Sequence, residues 1–421
     1  MTTATFDVVL GCLFPLALLL VGYRLRDNFF SRSELYGLLF PSTASPTPAT
    51  IYSRVRAYHS YLQYLKLSYN DVQRMRSSYA SLGRGHKGLG YRIGYPQKLE
   101  RLWEVTSMNA TLAEEIADLA VNEYAELKHT ARVQATAADL ARVRESLKHF
   151  VRDWSQAGAD ERARTFAPVL DLLRLVDPAQ RSQQRVLVPG AGLGRLAWEI
   201  AQLGFDTTAN ELSYFMVLAF RFLLSAEATQ KAEQHKIRPY AHWFSHQKSN
   251  ENLFRSVSFP DVVPRLGPNF HLLEGDFLKL PHPTAPGFPS NFWSQSKTET
   301  GQQTKPAFEP GGFDYVVTLF FIDTSFNVLE TMEQIFALLK PGGSWVNHGP
   351  LLWPGGGQCK LELSLEEVLA AAAEVGFVLE RHEDGHPEAQ RSVECEYTTD
   401  PLAMMRWAYK TEFWVAKKPL L

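Results

Sequence analysis

Residues Val186 to Arg195 read VLVPGAGLGR: a short apolar strand, then Gly190, Gly192 and Gly194 at every second position, then an arginine. A helix follows with Leu196, Ile200 and Leu203 on one face and Gly204 at its end. A strand that runs through a glycine turn into a helix is the opening unit of an α/β sheet, and ligands bind where such strands end and the strand order reverses. Glycine lets the backbone turn tightly and approach a ligand without Cβ interference. Taken alone, the turn fits any nucleotide-like ligand. A turn built for a dinucleotide wants Gly or Ala immediately after the third glycine, and Arg195 stands there instead. The GxGxG spacing suits a ligand that has no pyrophosphate.

The chain downstream keeps the alternation. Asp206 to Asn210, Phe270 to Leu273, Phe313 to Ile322, Ser344 to Asn347, Phe377 to Arg381 and Glu412 to Ala416 are expected strands. Val328, Met332, Ile335, Phe336 and Leu339 form a helical stripe stopped by Lys340-Pro341-Gly342-Gly343. Ser364-Leu365-Glu366-Glu367 is a capping box that opens a helix closed by Gly376. The expected fold is a doubly wound, mostly parallel α/β sheet, with a flexible Pro/Ser/Thr/Gln-rich insertion at 282–312. Glu211, at the end of the second strand, is placed to accept both hydroxyls of a ribose. Asp276 in Glu274-Gly275-Asp276-Phe277 can accept from an adenine amino group, and Phe277 can pack on the ring. Glycine turn, Glu211, Asp276 and the Lys-Pro-Gly-Gly turn, in that order, resemble the Rossmann-like class I methyltransferase fold.

Upstream, 51–165 reads as a helical cap domain and 166–421 as the sheet domain. Val55, Tyr58, Leu62, Leu65 and Tyr69 recur at spacings of three and four, and Ala113 to Leu127 and Ala135 to Phe150 behave similarly. Residues 1–50 form an extension with an uncharged apolar run, Val8 to Tyr23, and the linker-like Pro41 to Ala49. That run is marginal for a spanning helix, and Asp7 stands where a secretory signal carries positive charge. The expectation is a cytoplasmic protein, with the nucleus also open to it; where the run inserts, Arg24 and Arg26 keep the catalytic domain in the cytosol. Of the 421 residues, 43 are basic and 45 acidic, so the charge balance gives no footprint for nucleic acid. Three cysteines, far apart, argue against a disulfide framework and a metal site.

A narrower likeness rests on five segments: RDWS (Arg152 to Ser155), VLVPGAGLGRLAWEIAQLGF (Val186 to Phe205), NELSYFM (Asn210 to Met216), FFIDT (Phe320 to Thr324) and GPLLW (Gly349 to Trp353). They resemble the carnosine N-methyltransferase family, which transfers a methyl group from S-adenosylmethionine to the imidazole of carnosine, giving anserine. Some members act on histidine in proteins. The resemblance spans about Ile51 to Pro419. It implies cofactor contacts at Gly190, Gly192, Gly194, Glu211, Asp276, Phe277 and the backbone near Leu319. It also implies that Arg152 pairs with the cofactor carboxylate, with His149 standing where the family usually has glutamine.

On the substrate side the resemblance implies Asp323, Tyr409 and Tyr397. A carboxylate that accepts the imidazole N–H fixes the tautomer, aims the other nitrogen at the methyl group and stabilises the charge developing on the ring. Asp323 and Tyr409 are therefore the expected catalytic pair. The family reads GPLLYH where this chain has Trp353-Pro354, so Pro354 occupies the place of a substrate histidine, and His348 is the nearby stand-in. The expected substrate is a small histidine-containing peptide or a protein histidine, and a homodimer is compatible with the sequence. Two other classes stay open here: a catalytically silent cofactor-binding scaffold, and a nicotinamide-dependent oxidoreductase, against which Arg195 speaks.

Overall fold

The computed structural model describes residues 48–281, 312–355, 358–380 and 390–420. The Val8–Tyr23 run and the 282–311 part of the insertion lie outside the described residues. Two units are present: Met1–Ile51, of which the short helix Pro48–Ile51 is described, and Tyr52–Leu421.

The second unit opens with helices α1 (Arg54–Leu62), α2 (Tyr64–Ala80), α3 (Arg84–Arg92) and α4 (Tyr95–Glu123). The buried side of α1 and α2 is Ala57, Tyr61, Tyr64, Ser68 and Val72, whereas Leu62 and Tyr69 of the expected stripe are exposed. The periodicity was right and the facing was offset, because the tyrosines that bury also match the helical period. α4 starts well before Ala113 and stops at Glu123. α5 (Ala137–Trp154) is opened by a capping box in which Thr136 and Asp139 bond each other's backbone amides. Asp139 is also gripped through both oxygens by Arg56, at 2.8 and 2.9 Å, which fastens α1 to the start of α5. α6 (Ala159–Arg174) follows, so the 165/166 divide falls inside a helix. One apolar core runs from Tyr61 and Ile116 through Phe150 and Trp154 to Val186 and Phe220, joining the helices to the sheet.

The sheet begins with β1 (Arg185–Pro189), α7 (Arg195–Gln202), β2 (Asp206–Glu211) and α8 (Tyr214–Leu224). A small antiparallel hairpin of β3 (His235–Ile237) and β4 (Val257–Phe259), unforeseen in the sequence, interrupts it. Then come β5 (Phe270–Glu274), β6 (Phe313–Leu319), α9 (Val328–Leu338), β7 (Leu339–Gly349), α10 (Leu365–Val375), β8 (Val378–Leu379), β9 (Gln390–Cys395) and β10 (Tyr409–Lys417). The order is β5-β2-β1-β6-β7-β10-β8, with β9 also on β10. The first five are parallel and β10 is antiparallel to its neighbours.

Three expectations are corrected in this half. β6 stops at Leu319 rather than Ile322, because Phe320 turns into the left-handed region at φ 50° and a short helical turn, Ile322–Thr324, follows. The Lys340–Gly343 turn lies within β7 rather than ahead of it. A Cβ at Gly343 would stand 3.0 Å from the Phe313 carbonyl, so glycine allows the two strands to close there. β9 was not anticipated.

Candidate active site

Chain order reverses at β1, whose neighbours are β2 and β6, so the crevice beyond its carboxyl end is the place for a ligand. The glycine turn occupies that place. Gly190, Gly192 and Gly194 all have positive φ, from 58° to 74°. A Cβ on Gly190 would lie 2.4 Å from the Phe321 ring, and one on Gly194 2.3 Å from Phe220. Nothing lies within 4 Å of the same point on Gly192, which marks the open face of the turn. Glu211 is 8% exposed and faces the turn, its carboxylate accepting from the Gly192 amide at 2.8 Å and the Ser213 amide at 2.7 Å. Burial pushes this carboxyl above its ordinary range, and the amides recover only part of that. Both oxygens keep lone pairs for further donors, so the open cradle and the buried acceptor fit the two hydroxyls of a ribose.

The β2 and β5 ends are tied together next to it. The Asn210 side-chain amide donates to the carbonyls of Leu273 and Gly275, and the Gly275 amide donates to the Glu211 carbonyl. Asp276 is half-buried and caps the turn Phe277–Lys279 by accepting from the Leu278 amide. The Phe277 ring is buried edge-on to Phe321, with centroids 5.5 Å apart. Behind this end Glu274 accepts from Tyr124, Tyr214 and Arg221, a polar cluster that ties α4 and α8 to β5.

The RDWS segment is the last turn of α5. Trp154 donates through Nε1 to the Leu193 carbonyl at 2.8 Å, which docks the segment on the glycine turn. Arg195 is buried between the Trp154 and Trp198 rings and bonds Asp261 at 2.6 Å, Glu199 at 2.8 Å and the Asp153 carbonyl at 3.0 Å. It is a staple between helix and loop. The sequence showed only that Arg195 was no glycine.

Arg152 grips Asp153 through Nε at 2.6 Å and Nη2 at 3.1 Å, and its guanidinium lies 4.5 Å from the Tyr397 ring centre. One guanidinium edge is thus committed to Asp153, and a cofactor carboxylate would meet only the other. His149 Nδ1 lies 3.3 Å from Oδ2 of the same carboxylate, the oxygen that also accepts from Arg152 Nη2. Burial pushes the Asp153 carboxyl up, but Arg152 and His149 outweigh it and hold the group well below the usual range.

Across the crevice, the left-handed turn at Phe320 carries FFIDT over the end of β6. The Leu319 backbone pairs in register with His348. Phe320 packs on Tyr397 at 4.8 Å and edge-on against Tyr409 at 5.8 Å, so three half-buried aromatic rings from distant segments meet. Asp323 is 6% exposed and accepts from the Leu352 amide at 3.0 Å, which brings FFIDT and GPLLW together. Burial raises its carboxyl to about 6.

His348 is the clear correction. It is fully buried, with Nδ1 donating to the Thr165 carbonyl at 3.0 Å and Nε2 taking the Thr411 hydroxyl at 2.8 Å. Burial lowers it to about 4, and neither ring nitrogen is available to a substrate. Pro354 is half-buried beside Trp353, whose Nε1 donates to the Leu363 carbonyl at 2.9 Å. Phe320 and Asp153 were missed in the sequence. The doubled phenylalanine at a strand end was the available sign of the first, and nothing local marked the second.

Sheet order, glycine turn and strand-end acids together define a class I S-adenosylmethionine-dependent methyltransferase. The profile of the family described as carnosine N-methyltransferase matches residues 129–420. Carnosine N-methyltransferase of Rattus norvegicus is 34% identical over 306 residues, 70% of this chain and 68% of that protein. The enzyme of that name from Schizosaccharomyces pombe is 31% identical over 384 residues, 86% of this chain and 93% of that protein. The chain belongs to the carnosine N-methyltransferase family and is an S-adenosylmethionine-dependent N-methyltransferase. Among solved structures, phosphoethanolamine N-methyltransferase 2 of Haemonchus contortus, in complex with S-adenosyl-L-methionine, is similar with a TM-score of 0.31 and 16% identity. That likeness covers 60% of this chain and 45% of the other. Among the described residues no helix is long and apolar enough to cross a membrane.

Proposed function

We propose that this enzyme methylates an imidazole nitrogen of carnosine, with Asp323 as the group that orients and stabilises the ring. The observation that carries the reading is the buried Asp323 carboxyl, held by the Leu352 amide three residues beyond Phe320, whose ring meets Tyr397 and Tyr409. The Leu352 amide holds one oxygen of Asp323 and leaves the other for the imidazole N–H. The tautomer is then fixed, with the lone pair of the remaining nitrogen pointing away from the carboxylate. S-adenosylmethionine, when bound, supplies an electrophilic methyl on sulfur. The aromatic walls exclude water and hold the flat ring, so positioning supplies much of the acceleration. With its carboxyl near 6, Asp323 is mostly ionised at neutral pH and meets the positive charge that grows on the ring. The cradle of Gly192 and Glu211 would hold the ribose, and the second edge of Arg152 the cofactor's carboxylate.

Incubation with methyl-labelled cofactor and carnosine, followed by mass mapping of the ring, tests this. Label on an imidazole nitrogen is the expected result, and cofactor binding without transfer to carnosine overturns it. Pro354 favours a second reading, in which a different histidine-containing peptide or a protein histidine is preferred. Pro354→His then separates the two. If carnosine is the natural substrate, restoring a ring donor should leave kcat/KM within about threefold, and if it is not, the variant should gain about tenfold or more on carnosine.

A further inference from the structure

Among the described residues four other than glycine take the left-handed backbone, and two of them, Phe320 and Thr398, both at φ 50°, border a single contact. That contact is the packing of Phe320 on Tyr397 at 4.8 Å. Bulky and β-branched residues adopt this conformation only where their surroundings force it, and such residues gather at functional sites. At Phe320 the cause is local. Its amide donates to the His348 carbonyl at 2.9 Å, and Gly349 leaves the room, since a Cβ there would stand 3.1 Å from the Phe320 backbone. At Thr398 the chain has just left the sheet. β9 ends at Cys395, opposite Tyr409, and further on Asp400 is held by Arg255 and Gln247. Tyr397 stands in the stretch between these anchors.

Glu161 fastens that stretch from outside the loop. It is half-buried in the first turn of α6. Its carboxylate accepts from the Thr398 amide at 2.6 Å, the Thr399 amide at 3.2 Å and the Thr399 hydroxyl at 3.4 Å. Both oxygens are taken by the one turn. Bonds from backbone amides to an ionised carboxylate are among the strong ones, and here they offset the cost of the left-handed residue. The Tyr397 ring that the turn carries lies 4.5 Å from the Arg152 guanidinium as well as against Phe320. Arg152 has its own anchor in Asp153, at 2.6 and 3.1 Å, and does not depend on the loop. The setting of Tyr397 against Phe320 does.

We propose that Glu161 is a positioning residue for methyl transfer, holding the Thr398 turn and thereby setting the Tyr397 ring against Phe320 at the substrate site. This rests on the reading above, in which Tyr397 is one of the walls around the imidazole. The test is a double-mutant cycle on the full chain, with rates on carnosine at saturating S-adenosylmethionine for the parent, Glu161→Ala, Tyr397→Ala and the two combined. Glu161→Ala should lower kcat/KM about tenfold, the effect of a misplaced wall. Affinity for S-adenosylhomocysteine, read by calorimetry, should stay within about threefold of the parent, because Arg152 keeps its bonds to Asp153. That binding also reports a folded chain. On the Tyr397→Ala background, Glu161→Ala should cost less than about twofold more, since both act through one ring. Glu161→Gln keeps an oxygen for the Thr398 amide and should lose less than Glu161→Ala. Parental kinetics in Glu161→Ala, fully additive losses in the double variant, an equal loss of cofactor affinity, or Glu161→Gln no better than Glu161→Ala each overturns the proposal. Parental kinetics in Tyr397→Ala, or a parent that leaves carnosine unmethylated, overturns the underlying reading and the proposal with it.

Discussion

The role proposed for Asp323 comes at a cost in stability. Its folded pKa of about 6 lies above the ordinary carboxyl value, so the folded chain holds this proton more tightly than the unfolded one. The stability so contributed is fully present below the unfolded value and is lost as pH rises through about 6. At pH 7 the ionised group costs of the order of 2–3 kcal/mol. Asp323→Asn keeps an acceptor for the Leu352 amide and removes the buried charge. Thermal melts should show the variant more stable than the parent at pH 7 and equal to it near pH 4, while single-turnover transfer slows about 100-fold or more. A variant that is less stable at pH 7 would contradict the burial argument. The glycines of the turn should separate in the same way. Gly194→Ala drives a methyl into Phe220 and should lower the melting temperature. Gly192→Ala meets open space, so beyond a strain of about 1 kcal/mol it should act mainly on cofactor affinity, read by calorimetry with S-adenosylhomocysteine.

At the scale of elements, Ser364 and Glu367 form the reciprocal capping box expected of α10, and Gly376 closes the helix in the left-handed conformation. Ser364→Ala should cost about 1 kcal/mol in chemical denaturation and leave turnover alone. This helix was legible because its signals are local: cap, period and stop all fall within thirteen residues. β1 and β5 were legible for a related reason, being short, largely apolar runs bounded by turn residues, and the polar β2 from its place in the strand-helix alternation. β9 and the β3–β4 hairpin were not, because three to six residues acquire strand character only from the partner they pair with. Glu211 could be placed from its position at a strand end. The fate of His348 could not, since it depends on Thr165 and Thr411, far away in sequence and adjacent only in the fold.

For the molecule as a whole, acid should act twice. In the proposed mechanism transfer needs an ionised Asp323 and a neutral substrate imidazole, whose free pKa is near 6.5. The pH profile of kcat/KM should therefore fall on its acid side with a slope approaching two, where a single group would give one. Folding responds separately. Burial holds His348 near 4 and His242 near 3, below the unfolded value, so their contribution is whole above about 6.5 and is lost as pH falls towards those values. Denaturant midpoints measured from pH 7 to pH 4 should decline, offset in part by Asp323, which protonates in the same interval with the opposite sign. The Arg195 staple also acts at this scale, since it pairs with Glu199 of α7 and with Asp261 and bonds the Asp153 carbonyl of α5. Arg195→Ala leaves Asp261 to Arg162 alone and the part-exposed Glu199 without its partner, and should destabilise the chain by about 2 kcal/mol, measured by urea titration.

The amides of the glycine turn lead one step further, into exchange kinetics. Ala191 donates to the Asn210 carbonyl, Gly192 to Glu211 and Gly194 to the Ala191 carbonyl, so all three amides are bonded within the protein. Three consecutive-turn protons in an exposed glycine loop would ordinarily swap with deuterium within seconds, yet here each already has an acceptor. Cofactor binding that keeps these three bonds requires no ordering of this segment. Deuterium uptake over 190–194 should be slow in the free enzyme and change little on ligation, whereas protonating Glu211 in acid should release the Gly192 amide first.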